Sequence, residues 1–203
     1  MRTTHLLYLH GFRSSPQSIK ARKMAALMAA RHPEVTWWCP QLPPSPHDAM
    51  ALLAEGTADW PHATTAIIGS SLGGFYATAM AERWHCKAVL LNPAVDPARD
   101  LANFIGEQTA WHHPEEHFFF EPRFIDELTA LHVGTLTTAQ NYLVVIAKGD
   151  EVLDWREMMH RYAGAQIRLQ EGGDHALSDF ERHLPLILDF LGLTAVRNTA
   201  CLH

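Results

Sequence analysis

Thr64 to Arg83 reads TTAIIGSSLGGFYATAMAER, an apolar β-branched run that passes through Gly69-Ser70-Ser71-Leu72-Gly73 into an alanine-rich helical pattern. This spells a strand, a tight turn and a helix. The turn has the form G-x-S-x-G. A glycine at 69 lets strand and helix approach each other, and one at 73 removes a Cβ that would crowd the serine. Ser71 is then expected in a strained conformation, its hydroxyl exposed at the carboxyl end of a sheet. The amino end of the following helix supplies partial positive charge where an oxyanion would develop. The bare pattern recurs by chance, and a glycine-rich turn with a structural serine would satisfy it too. The strand before it, with Gly74 and a helix after it, makes the catalytic reading the sharper one.

Outward from this unit the chain alternates strand and helix without repeats. His5 to His10 (HLLYLH) is long enough for a buried strand, and Gln17 to Arg31 carries a helical apolar face at Ile19, Ala21, Met24, Leu27 and Met28. Val35 to Cys39 reads as a strand, and the proline-rich loop Pro40 to Pro46 leads to a helix over His47 to Asp59. Lys87 to Leu91, Tyr142 to Ala147 and Gln166 to Leu169 are further strands, with helices near Trp155 to Tyr162 and Phe180 to Leu191. Continuously apolar strands alternating with helices imply an α/β fold, a mostly parallel sheet covered on both faces in three α/β/α layers. Reactive groups in such sheets gather beyond the carboxyl ends of the strands.

Three such ends carry chemistry. After the first strand stands His10-Gly11-Phe12, where Gly11 permits a sharp turn and the Phe12 amide can join the Leu72 amide as an oxyanion hole. The plainer alternative is that His10 and Gly11 only close a strand. After Tyr142 to Ala147 comes Gly149-Asp150, whose carboxylate could orient an imidazole. Asp154 competes for that role but more plausibly caps the next helix, Asp96 is more distant, and a solvated turn aspartate is the plain reading of Asp150. After the last strand, Glu171-Gly172-Gly173-Asp174-His175 forms a loop that can swing His175 over a neighbouring strand end as general base. Asp174 adjoins His175 in sequence, and consecutive side chains rarely meet, so it is not taken as the orienting acid.

Composition narrows the partners. The chain has 203 residues, 47% hydrophobic and 19% charged, with a formal net charge of -6. That suits one domain, and without a basic run neither nucleic acid nor an anionic membrane surface is an expected partner. The start, Met1-Arg2-Thr3-Thr4 before a short strand, does not read as a signal peptide, and no apolar run is long enough to span a bilayer. Cys39, Cys86 and Cys201 form no C-x-x-C pair and fit reduced thiols in a cytoplasm.

The chain resembles the small YqiA-type esterases of the α/β-hydrolase fold. The resemblance runs from YLHGF (Tyr8 to Phe12) to DFLGL (Asp189 to Leu193). It is carried by PQLPP (Pro40 to Pro44), GSSLGGFYAT (Gly69 to Thr78), LNPAV (Leu91 to Val95), GDEVLDW (Gly149 to Trp155) and EGGDHA (Glu171 to Ala176). The order Ser71, Asp150, His175 is the Ser–acid–His order of that fold. The resemblance implies a minimal hydrolase domain over residues 1–193, with Ser71 as nucleophile and Asp150 and His175 as acid and base. It implies hydrolysis of acyl esters, with thioesters a further substrate class; a mechanism through Ser71, His175 and Asp150 would need no cofactor. Thr194 to His203 runs past the usual end of the family and reads as a frayed tail.

Asp96 to Ala139 is a long insertion between two strands, expected to lie over the site as a short cap. Its Trp111, Phe118, Phe119, Phe120 and Phe124 could shape an acyl pocket, or simply pack the cap onto the domain. His112, His113 and His117 lie among them, but no second ligand cluster supports a metal. Met24, Met28 and Met80 are read as core.

Overall fold

The computed structural model describes residues 2–111 and 115–194. Six strands form one sheet: β1 (His5–Leu9), β2 (Thr36–Trp38), β3 (Thr65–Ser70), β4 (Lys87–Leu91), β7 (Tyr142–Ala147) and β8 (Gln166–Gln170). Their order is β2-β1-β3-β4-β7-β8, and every neighbouring pair is parallel. The remaining two strands, β5 (Gly106–Thr109) and β6 (His117–Phe120), pair antiparallel as a separate hairpin within the insertion.

The alternation of side chains along a strand divides the core in two. Leu7, Leu9, Ile67, Leu90, Val144 and Ile146 face one side of the sheet. There they meet Leu53 of α2 (Pro46–Gly56), Phe75 and Met80 of α3 (Leu72–Trp84), and Met158 of α6 (Trp155–Arg161). Leu6, Tyr8, Ile68, Val89, Leu143 and Val145 face the other side. They pack on Met24 and Met28 of α1 (Ile19–Arg31) and on Ile187 of α7 (Leu184–Phe190). All these strand residues are fully buried, which explains the unbroken apolar runs of β1, β3, β4 and β7. Each large aliphatic side chain so buried contributes about 1.5–3 kcal/mol. The three methionines read as core are at most 2% exposed.

Several boundaries differ from the sequence expectation, each for a local reason. The first helix begins at Ile19 because Ser18 caps it, its hydroxyl accepting the Ala21 N–H. The second begins at Pro46, where Ser45 accepts the Asp48 N–H and proline occupies a position that needs no donor. The expected last helix is split: Phe180–His183 is a 3₁₀ turn and α7 starts at Leu184. Pro185 cannot donate to a preceding carbonyl, so a continuous helix is not formed through it.

The insertion has its own elements, α4 (Pro97–Leu101), the hairpin and α5 (Arg123–Ala130). Phe120 and Phe124 are buried and join the core, whereas Phe119 and Trp111 stay 59% and 65% exposed. Phe118 is half-buried and packs against the same core, so packing onto the domain accounts for three of these five aromatics and not for Phe119 and Trp111. His117 lies within reach of Glu107 and Thr109 across the hairpin. His112 and His113 lie outside the described residues, as does the tail beyond Thr194. Among the described residues there is no metal-holding group of His, Cys, Asp and Glu, and no helix long and apolar enough to cross a membrane.

Candidate active site

From β1 the chain runs through α1 to the edge strand β2, then back through α2 to β3 on the other side of β1. Helices α1 and α2 cover opposite faces, so a crevice opens between the carboxyl ends of β1 and β3. Gly11 and Ser71 stand there.

Ser71 has φ 55° and ψ −122°, a left-handed backbone for a non-glycine residue. Tertiary bonds hold this strain in place: the Ser71 N–H donates to Leu91 O at 3.0 Å, and its carbonyl accepts Gly74 N–H at 2.8 Å and Ala94 N–H at 3.0 Å. The two motif glycines are required by contact. A Cβ at Gly69 would stand 2.3 Å from Gly73 O, and one at Gly73 would stand 2.1 Å from Leu9 O.

His175 Nε2 lies 3.0 Å from Ser71 Oγ, and His175 Nδ1 lies 2.8 Å from Asp150 Oδ2. The Asp150 side chain is fully buried and that of His175 is 21% exposed. The other Asp150 oxygen accepts the Val152 and Leu153 N–H groups, both at 2.8 Å, so the carboxylate cannot swing away. An Nδ1–H toward Asp150 leaves Nε2 free to accept the Ser71 proton. The competing carboxylates are occupied elsewhere. Asp154 caps α6 through Arg156 N–H, Asp96 caps α4 through Arg99 N–H, and Asp174 accepts the Ser178 hydroxyl and N–H. Those Ser178 bonds hold the Asp174 carboxyl below the usual carboxylate range.

The Phe12 and Leu72 amides have no acceptor among the described residues. A Cβ on Gly11 would sit 3.1 Å from Ser71 Cβ and 3.5 Å from its Oγ, so the Gly11–Phe12 peptide passes directly beside the serine. The Gly11 carbonyl is held by His10 Nδ1 at 3.0 Å and by Ser14 N–H at 3.2 Å. His10 Nε2 accepts the Leu42 N–H at 3.1 Å, which leaves the imidazole proton on Nδ1. In a trans peptide the N–H points opposite the carbonyl, so His10 aims the Phe12 N–H away from its own side of the loop.

Several groups here carry little sign in the sequence. His10 reads as a strand end, yet it orients the peptide after it. Glu151 accepts the His175 N–H at 3.0 Å, and the Lys20 ammonium donates to Ala176 O. Burial pulls the Lys20 pKa down to about 8, against the opposing pull of Asp174 and Asp150. Asn92 is fully buried and bonds to the strand and the loop on either side of it. An HG pair at a strand end was the one available signal, because the other contacts join segments far apart in sequence.

The hairpin docks on the same loop. Phe12 packs edge-on against Phe104, Phe118 and Phe120. Arg13 donates to Thr109 O at 2.7 Å, lies over the Trp111 ring, and accepts the Trp111 N–H on its carbonyl. Further along, a cleft of about 790 Å³ lies among α4, α5 and α6, lined by Phe75, Val95, Ala98 and Leu128 together with charged side chains that include Arg99 and Glu157. Phe75 is one helical turn beyond Ser71, and Val95 follows Ala94, which bonds the Ser71 carbonyl.

A parallel six-stranded sheet between helical layers, with a serine at a strained turn after β3, defines an α/β-hydrolase-fold protein. Solved structures agree on the fold. Mouse alpha/beta hydrolase domain-containing protein 10 superposes with a TM-score of 0.71 at 15% identity, over 94% of this chain and 91% of its own. A variant of tomato methylketone synthase I complexed with beta-ketoheptanoate gives 0.70 at 12% identity, over 95% and 99%. Carboxylesterase CesB (YbfK) from Bacillus subtilis gives 0.57 at 15%, over 93% and 84%. The family model of the uncharacterised protein family UPF0227 matches residues 5–192, and the chain belongs to that family.

Proposed function

We propose that the protein is a serine esterase that hydrolyses small acyl esters through an acyl-enzyme. The observation that carries this reading is the continuous relay from Ser71 Oγ to His175 at 3.0 Å and from His175 to buried Asp150 at 2.8 Å. Both hydrogen bonds fall within the range expected of a nucleophile, a base and an orienting acid.

His175 Nε2 takes the Ser71 proton as Oγ attacks the acyl carbonyl carbon. The carbonyl oxygen becomes an oxyanion that accepts the Phe12 and Leu72 N–H groups, and losing one such donor typically costs about 2.7–4 kcal/mol of transition-state stabilisation. Asp150 stabilises the imidazolium. The carbon–oxygen bond to the alcohol breaks, and Nε2 returns its proton to the leaving oxygen. Water then attacks the acyl-enzyme by the same route, releasing the acid and restoring Ser71. Thioesters would follow the same path with sulfur leaving. No step calls for a cofactor.

In this reading residues 1–193 form one catalytic domain, and the 96–139 insertion is a cap whose cleft receives the acyl group. A cytoplasmic setting is in keeping with the free thiols of Cys39 and Cys86. A non-catalytic binding module, or a peptidase or acyltransferase on the same site, would need the same pocket but a different turnover profile. A series of p-nitrophenyl esters of rising chain length, run beside a peptide amide panel, separates them. Ester hydrolysis by the wild type, abolished in folded Ser71→Ala, is the expected result. Retained turnover in clean Ser71→Ala protein rules the reading out.

A further inference from the structure

Asn92 follows β4 at the centre of the sheet, fully buried and at φ 42°. Its backbone N–H donates to Val145 O at 2.9 Å, which fixes the residue against β7. Its side chain then spans two loops. The carboxamide oxygen accepts the Ala147 N–H at 2.8 Å, where β7 ends three residues before Asp150. The carboxamide nitrogen donates to the carbonyls of Asp174 at 3.0 Å and His175 at 3.2 Å. One rigid amide therefore ties the strand that carries the acid to the backbone of the base itself.

A structural asparagine would need partners for its own polar atoms, and any buried carbonyl would serve. Here the partners are the strand end leading to Asp150 and the peptide bearing His175. The other side-chain bonds of that segment, accepted by Glu151 from the His175 N–H and donated by Lys20 to Ala176 O, come from exposed or half-buried side chains, while the Gly149 N–H donates to Gly172 O at 3.0 Å and the Leu177 N–H to Asp174 O at 3.1 Å. Asn92 is the buried member of the set. Two consecutive glycines precede this segment, Gly172 and Gly173, both with positive φ. Such a backbone has little stiffness of its own; the Gly149 N–H anchors it at Gly172, and Asn92 anchors it two and three residues further on, at the peptides of Asp174 and His175.

We infer that Asn92 is a positioning residue for the relay: it sets the separation of Asp150 and His175, and so the Nδ1–H···Oδ2 bond on which the basicity and aim of the imidazole depend. Its role in ester hydrolysis rests on the proposed function, whereas its effect on the His175–Asp150 bond does not. A misplacement of about 1 Å in reacting groups can cost roughly 10²-fold in rate.

Two substitutions test this. Asn92→Gly accepts positive φ without strain and deletes the amide. Asn92→Asp keeps the shape and the acceptor toward Ala147 N–H but replaces the nitrogen donor with oxygen that repels both carbonyls. Thermal melts first establish that each variant folds. Proton NMR then follows the far-downfield Nδ1–H resonance of His175, assigned by its loss in Asp150→Asn, and fluorophosphonate labelling of Ser71 follows reactivity.

The expected result is loss or a marked upfield shift of the resonance in both variants. Labelling should be roughly ten- to a hundredfold slower, and kcat on a short ester should fall with KM within about twofold of wild type. A folded Asn92→Gly that keeps the wild-type resonance overturns the inference, whatever its labelling rate. Wild-type protein that has the resonance but neither labels nor hydrolyses esters contradicts the proposed function instead, and leaves the resonance to decide the role of Asn92.

Discussion

His10 ties the loop that would bind an oxyanion to the proline-rich loop at Leu42, one ring nitrogen to each. Its Nδ1–H meets the Gly11 carbonyl and its Nε2 accepts the Leu42 N–H. His10→Ala leaves that buried N–H without a partner, a cost of about 1–3 kcal/mol. It also leaves the Gly11 carbonyl held by the Ser14 N–H alone, which loosens the Gly11–Phe12 peptide. Urea melts should show the stability loss, and kcat should drop by more than about tenfold, since a lost oxyanion donor alone costs about 10²–10³. Unchanged kcat in the folded variant would mean that the loop holds itself. At this scale the sequence was partly legible. Ser71 and Asp150 each follow an apolar strand at a glycine turn, and His175 follows a glycine pair after the mixed strand β8, so all three could be placed at strand ends from the sequence. Asn92-Pro93 offered only a strand terminator, because its partners at 147, 174 and 175 lie far along the chain.

The nucleophile turn is where element geometry governs side-chain chemistry. Gly69→Ala would drive a methyl into the backbone of Gly73 and against Ala77 Cβ, 2.3 and 2.7 Å away. Strand β3 and helix α3 would have to part, at a cost of about 1–3 kcal/mol or more, with loss of activity from a displaced Ser71. Denaturant midpoints and ester turnover should fall together, and a Gly69→Ala protein of wild-type stability would contradict the packing described. The hairpin β5–β6 makes the complementary case. Arg13→Ala removes the bond to Thr109 O and the guanidinium over Trp111, so amide hydrogen exchange across Gly106–Thr109 and His117–Phe120 should quicken. Exchange at the wild-type rate would show that Phe12 and the Trp111 N–H suffice. The hairpin was not visible in the sequence, because strands of four residues, GEQT and HFFF, carry too short a pattern to distinguish from loop. The long strands were visible for the opposite reason: burial on both faces leaves uninterrupted apolar runs.

Over the whole molecule, parallel strand order brings the ends of β1, β3, β7 and β8 together, and stability must hold that order against acid as well as heat. His183 contributes to the pH dependence. Its ring is buried, and burial lowers its pKa, opposed by Asp179 and reinforced by Arg168 and Arg182. In the unfolded chain the imidazole titrates near 6.5, so as pH falls through that value the unfolded state binds a proton that the folded state resists. Stability is complete above the unfolded value and declines as pH drops toward the lower folded one. Thermal melts of the wild type should lose ground as pH falls below about 6.5, and His183→Leu should lose less. An identical pH slope in both proteins would remove His183 from the explanation. The three-layer architecture was legible from the alternation of apolar strands and amphipathic helices. The docking of the insertion on the Phe12 loop was not, since it depends on contacts between residues about a hundred positions apart.

Most direct of all is the reactivity of a single hydroxyl. Wild type and Ser71→Ala, both shown folded, are treated with a fluorophosphonate and read by intact mass and peptide mapping. An activated Ser71 predicts one adduct, mapped to the peptide containing GSSLGG and absent from Ser71→Ala. A folded wild type that takes up no reagent, or takes it up equally with Ser71 removed, would contradict the relay from Ser71 through His175 to Asp150 as a working catalytic device.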